Sequence, residues 1–92
     1  MNTRILKVLS QSEAVTVQKQ DGSTIQKSTL VLQEPGGKYE DSYVGTLLGN
    51  VALCRFYPGD LVVAALRFQH REYQGNVYQD IIVQDIVKVA RG

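Results

Sequence analysis

Apolar and polar residues alternate in short runs along the chain, and turn-forming residues separate the runs. Period-two alternation of this kind belongs to half-buried strands. The first run spans Arg4 to Leu9 and resumes from Ala14 to Gln20. The polar interruption between them predicts a bulge or bend within one long strand. Asp21-Gly22-Ser23 is a strong turn signal. A second strand runs from Thr24 to Gln33 and breaks at Pro35-Gly36-Gly37. A third covers Tyr39 to Leu48. Behind it, Asn50 stands where a helix N-cap would, and Val51, Leu53 and Cys54 fall near one side of a short helix. Pro58-Gly59 ends that helix. Two long strands follow, "LVVAALRFQHRE" and "VYQDIIVQDIVKV", joined by a tight turn at Gly75-Asn76.

Three strands, a helix and two strands form the order of the OB-fold, a small Greek-key barrel. An SH3-like barrel is the competitor, but its strands are usually shorter and it has no helix at this point. The expectation is an all-β, five-stranded OB-fold barrel with one short α-helix between strands 3 and 4. One domain, residues 1–92, accounts for the whole chain.

Strand parity sorts the side chains of the last hairpin. Val62, Ala64, Leu66 and Phe68 share an inward parity in the fourth strand, as do Val77, Ile81 and Val83 in the fifth. A bulge near Asp85 is needed to keep Ile86 inside as well. Arg67, Arg71, Tyr73 and Tyr78 then share an outer surface, which Lys19 and Lys27 of the first hairpin border. Basic side chains bind phosphates and tyrosine rings stack on unpaired bases. The plainer reading is that tyrosines are common cross-strand partners and that Glu72 and Asp80 neutralise Arg71.

Composition restrains this picture. Of 92 residues, 43% are hydrophobic and 21% charged, an ordinary globular balance. The net charge of +1 does not announce nucleic-acid binding by itself, so such binding must rest on where the charges sit. The N-terminal residues lack the apolar run of a signal peptide, and no stretch has the length of a membrane-spanning helix. A cytoplasmic protein with no membrane partner is expected.

Catalytic chemistry finds little support. Cys54, the one cysteine, reads as a half-buried small apolar residue. His70, the one histidine, shares parity with Leu66 and Phe68 and reads as partly buried. A Cys54–His70 dyad would lack an orienting third group. Glu40, Asp41, Asp80 and Asp85 show no metal-ligand spacing, and Gly36-Gly37 is too short for a phosphate loop. The expectation is no enzyme, no metal, no cofactor and no small-molecule substrate.

From Gly49 onward, "GNVAL" and then "YPGDLVVAALRFQHREYQGNVYQDIIVQDI" resemble the second half of bacterial single-stranded-DNA-binding proteins of the SSB type. Gly49, Gly59, Asp60, Val62, Leu66, Arg71, Tyr73 and Tyr78 fall on the positions that carry the likeness. From the first strand to Val89 the chain is also similar to a family of small, uncharacterised bacterial OB-fold proteins. The SSB resemblance implies that Tyr73 stacks on a base and that Arg71 belongs to a basic strand-binding face. Further stacking aromatics expected on the third strand are missing, since the matching positions are about Ser42 and Leu48, and Tyr39 and Tyr43 have the wrong parity. The acidic tail of SSB proteins is also missing after Ala90-Arg91-Gly92, which implies a bare core domain.

Two functions of different class follow. The first is a single-stranded nucleic-acid-binding module, for DNA or RNA and without sequence preference. It uses Lys19, Lys27, Arg67, Arg71, Tyr73 and Tyr78 and works as a homodimer or homotetramer. The second is a protein-interaction or assembly domain in which the same face is a subunit contact.

Overall fold

A computed structural model describes residues 2–91. Met1 and Gly92, which the expected domain includes, lie outside the described residues. The strands are β1 (Asn2–Gln11), β2 (Val15–Gln18), β3 (Thr24–Gln33), β4 (Ser42–Leu48), β5 (Leu61–Tyr73) and β6 (Asn76–Ala90). β1 and β2 are the two halves of the expected first strand, so the five predicted strands appear as six segments. An extra residue, Leu9, interrupts the β1–β3 register between Val8 and Ser10, as the polar interruption nearby suggested.

The sheet order β1-β5-β6-β4-β3-β2 closes on itself because β1 pairs with two strands. Asn2–Lys7 lie against β5, and Lys7–Gln11 lie against β3. β4 and β6 meet through one parallel pairing, Thr46 with Ile82. Closure there needs a close approach. Gly45 supplies it: a Cβ at this position would sit 2.7 Å from Cγ2 of Val83. Leu6, Val8, Leu30, Leu32, Leu47, Val62, Ala64, Leu66 and Val83 fill the barrel. These are the inward-parity residues of each strand.

The predicted α-helix is a single 3-10 turn, Gly49–Leu53. Leu48 caps it without a side-chain hydrogen bond, and Asn50 lies inside the turn, so Asn50 is not the cap. Gly49 enters the turn at φ +72°, a conformation that favours glycine. Ala52 is buried, whereas Leu53 and Cys54 are exposed, which corrects the expected half-buried cysteine. Five residues are too few for a helical stripe to govern burial. Polar side chains of the barrel fasten the segment instead. Gln11 Nε2 donates to the Cys54 carbonyl at 2.8 Å, and Gln11 Oε1 accepts the Phe56 N–H at 2.8 Å. Ser28 Oγ donates to the Ala52 carbonyl at 3.1 Å. Ala52 and Phe56 then plug this end of the barrel.

Asp60, 3% exposed, locks the following turn. Its Oδ2 accepts the Tyr57 N–H at 2.9 Å and pairs with Lys88 Nζ of β6 at 3.0 Å. The sequence match to Gly59-Asp60 therefore has a structural cause: Gly59 turns at φ +92°, and Asp60 ties the turn to β6.

Beyond Leu66 the β5–β6 hairpin leaves the barrel. Phe68, His70 and Val77 have inward parity but are exposed, because the barrel interior ends there; Phe68 keeps a tilted ring contact with Tyr43 of β4 at 6.5 Å. The expected partial burial of His70 and Val77 is corrected accordingly. The tight turn is Gln74-Gly75, one residue earlier than predicted. Both residues have positive φ, +52° and +81°, as a type I′ turn requires, and Tyr73 pairs with Asn76. The predicted bulge is present. Ala65 pairs with Asp85 and Leu66 with Val83, so Gln84 is the extra residue, and Ile86 stays packed against the core.

Candidate functional site

Pairing across the hairpin places Arg71 opposite Tyr78, Arg67 opposite Ile82 and Gln69 opposite Asp80. Arg67, Arg71, Tyr73, Tyr78, Asp80 and Ile82 therefore share one face, and Glu72 lies on the other. The Arg71 guanidinium carbon stands 4.9 Å from the centre of the Tyr78 ring, and Nε donates to Asp80 Oδ2 at 2.9 Å. Of the two acids considered, Asp80 takes the arginine. Tyr73, 59% exposed, and Tyr78, 40% exposed, present ring surface to solvent.

The same outer face continues onto the neighbouring strands. In β3 and β4, Lys27 pairs with Leu48 and Thr29 with Thr46. In β2, Val15 pairs with Lys27. An open groove of about 360 Å³ runs between these strands and the hairpin. Lys27 and Arg71 converge on it from opposite sides, above a floor of Thr46, Leu48 and Ile82. The barrel thus joins two cations that are distant in sequence.

The remaining candidates separate from this pair. Lys19 lies in the β2–β3 turn, where its N–H bonds the Ser23 carbonyl at 2.7 Å, and it is not among the residues lining the groove. Asp21 Oδ1 holds that turn by accepting from Ser23 Oγ at 2.6 Å and from Ser23 N at 2.9 Å. These bonds keep the Asp21 carboxyl below its ordinary value. Arg67 lines an adjacent depression with Asn2, Phe68 and Gln84.

The third strand offers no aromatic platform on this face. Leu48 lies where one was expected. Tyr43 points the other way, into a cluster with Arg4 and Glu34. Its hydroxyl donates to Glu34 Oε1 at 3.0 Å and accepts from Arg4 Nη1 at 3.0 Å. Burial, reinforced by the Glu34 hydrogen bond, raises the Tyr43 phenol above its ordinary value. Tyr39 is exposed in the β3–β4 connection, outside the sheet. Thr46 was not anticipated as floor, although the alternation Val44, Thr46, Leu48 carried the signal. Among the described residues no group of three or more His, Cys, Asp and Glu could hold a metal ion, and no helix is long and apolar enough to cross a membrane.

Strand order, closure and groove together define an OB-fold domain. The solution NMR structure of the second OB-fold domain of replication protein A from Methanococcus maripaludis superposes with a TM-score of 0.75 at 22% sequence identity. That match covers 98% of this chain and 84% of the other. The crystal structure of the mitochondrial single-stranded DNA binding protein Rim1 from S. cerevisiae gives a TM-score of 0.62 at 14% identity, covering 99% and 96%. The expected likeness to OB-fold proteins of the SSB type is therefore present in the fold. No protein-family model and no curated protein matches the chain.

Proposed function

We propose that the protein binds single-stranded nucleic acid, DNA in the first instance, along the outer face of β2, β3, β4 and the β5–β6 hairpin. The observation that carries this reading is the convergence of Lys27 and Arg71 on one open groove beside the exposed rings of Tyr73 and Tyr78. Cations flanking a floor of Thr46, Leu48 and Ile82, with Asp80 beside Arg71 and rings at one end, suit a strand whose phosphates are neutralised and whose bases stack. Two structural neighbours are an OB-fold domain of replication protein A and a single-stranded DNA binding protein, which supports the same reading. Nothing in the arrangement calls for catalysis, and we infer a binding module without sequence preference along the groove. Lys19 and Arg67 extend the basic border for longer strands.

Fluorescence anisotropy with oligo-dT at low salt tests the proposal. The native protein binds, and affinity falls steeply with salt. Arg71→Ala weakens binding and lowers the log–log salt slope by roughly 0.7, the value of one single-strand phosphate contact. Tyr73→Ala weakens binding by about 1–3 kcal/mol with little change in slope. Absence of binding at low salt removes the proposal.

A second reading, self-association, is favoured by a different observation. Ile5, Val63 and Val87 form a cross-strand row on the outside of β1, β5 and β6. Ile5 and Val87 are 56% and 57% exposed. Exposed apolar rows of this kind suit a subunit contact. Light scattering at increasing concentration, on native protein and on Val87→Lys, tests it: a native dimer or tetramer that Val87→Lys dissociates supports the contact, and a native monomer rejects it.

A further inference from the structure

Past Thr46 and Ile82, β4 and β6 part, and a slot of about 540 Å³ opens between the 3-10 turn and β6. Leu48, Val51, Ile82 and Val83 line it with aliphatic surface, and Gln84 and Asp85 form its polar rim. The rim depends on the bulge. In an unbroken strand, residues 84 and 85 would point to opposite faces. With Gln84 unpaired, both border the same slot. Asp85 Oδ1 accepts the Ile86 N–H at 3.0 Å. Both side chains are exposed, and Oδ2 and the Gln84 amide make no hydrogen bond to another described residue, so both stay open to a ligand. No lysine or arginine lines the slot. A phosphate there would face a carboxylate without a compensating cation, so the occupant is not backbone. An aliphatic lining beside a carboxylate acceptor instead suits a planar group that donates hydrogen bonds from its edge.

We propose that this slot receives one unpaired base bearing an exocyclic amino group, its face on Leu48, Val51 and Ile82 and its edge on Asp85 and Gln84. The inference rests on the strand-binding reading above. Leu48 and Ile82 belong to both the slot and the Lys27–Arg71 groove, so a strand held by its phosphates in the groove has a base beside the slot. Cytosine offers its N4 amino group to a carboxylate, and adenine its N6. Thymine offers O4, and its ring N–H sits between two carbonyl oxygens that repel a carboxylate. Asp85 with Gln84 thus gives a local base preference to an otherwise indifferent groove.

Anisotropy titrations with oligo-dC and oligo-dT of equal length, at neutral pH and fixed low salt, test the slot. Native protein binds oligo-dC roughly tenfold more tightly than oligo-dT, the order of discrimination that one good base-edge contact supplies. Asp85→Asn keeps an acceptor for the Ile86 N–H and a matching thermal midpoint. It brings the two affinities together, because the amide presents a donor as well as an acceptor. Equal native affinities, or a preference that survives Asp85→Asn, overturn the slot assignment and leave the strand-binding reading standing. Binding of neither polymer overturns both.

Discussion

Arg71 is not idle in the free protein. It is bonded to Asp80 and stacked on Tyr78, so an incoming phosphate must compete with a carboxylate for it. The pair is exposed enough that its own worth is at most about 1 kcal/mol. Asp80→Asn therefore raises oligo-dT affinity by about two- to fivefold, measured by anisotropy at low salt, because a phosphate gains an unopposed guanidinium. Weaker binding would mean that Asp80 orients Arg71 for its ligand. On the inner side of β4, 6.5 Å from the Phe68 ring, Tyr43 makes a pH prediction. Its folded phenol is raised above the ordinary value of 10.0, so the neutral form is favoured in the fold. The resulting stability is full below the unfolded value and is lost as pH rises through the folded one. Tyr43→Phe is accordingly less sensitive than native protein to a shift from about pH 9 to about pH 11, read as urea midpoints.

Among the elements, the turn between the 3-10 segment and β5 is the most exposed to a single change. Asp60 is buried and joins the Tyr57 N–H to Lys88 of β6. Asp60→Ala strands both groups and costs about 2–3 kcal/mol, read from urea unfolding; Lys88 retains some access to water, which limits the loss. Asp60→Asn, which keeps an acceptor, costs less. Much of the element order was legible because strand parity is local. Leu6, Val8, Leu30, Leu32, Val62, Ala64 and Leu66 alternate visibly and are buried. What escaped depends on distant parts of the chain. Gly49–Leu53 reads as a helix start, but Gln11 and Ser28, more than twenty residues away, hold its exit as a 3-10 turn. Phe68 and His70 read as inward because parity carries no information on where the barrel ends. The convergence of Lys27 with Arg71 arises only when the barrel closes at Thr46 and Ile82.

At the scale of the molecule, a near-neutral charge and a basic groove coexist because the charges are distributed. Lys27 and Arg71 face the groove, Arg71 paired there with Asp80, whereas Arg4 is committed to Glu34 and Lys88 to Asp60 away from it. Affinity at a single groove of this kind is modest, and assembly through the Ile5–Val63–Val87 row would raise it by avidity without altering the site. The two surfaces occupy different stretches of the outer wall, so binding and assembly are separable by mutation. Amide chemical-shift mapping on titration with oligo-dT at low salt tests the central claim most directly. The account predicts shifts at Lys27, Thr46, Leu48, Arg71, Tyr73, Tyr78 and Ile82, with little change at Ile5, Val63 and Val87. Shifts confined to the Ile5–Val63–Val87 row, or none at all, would contradict it.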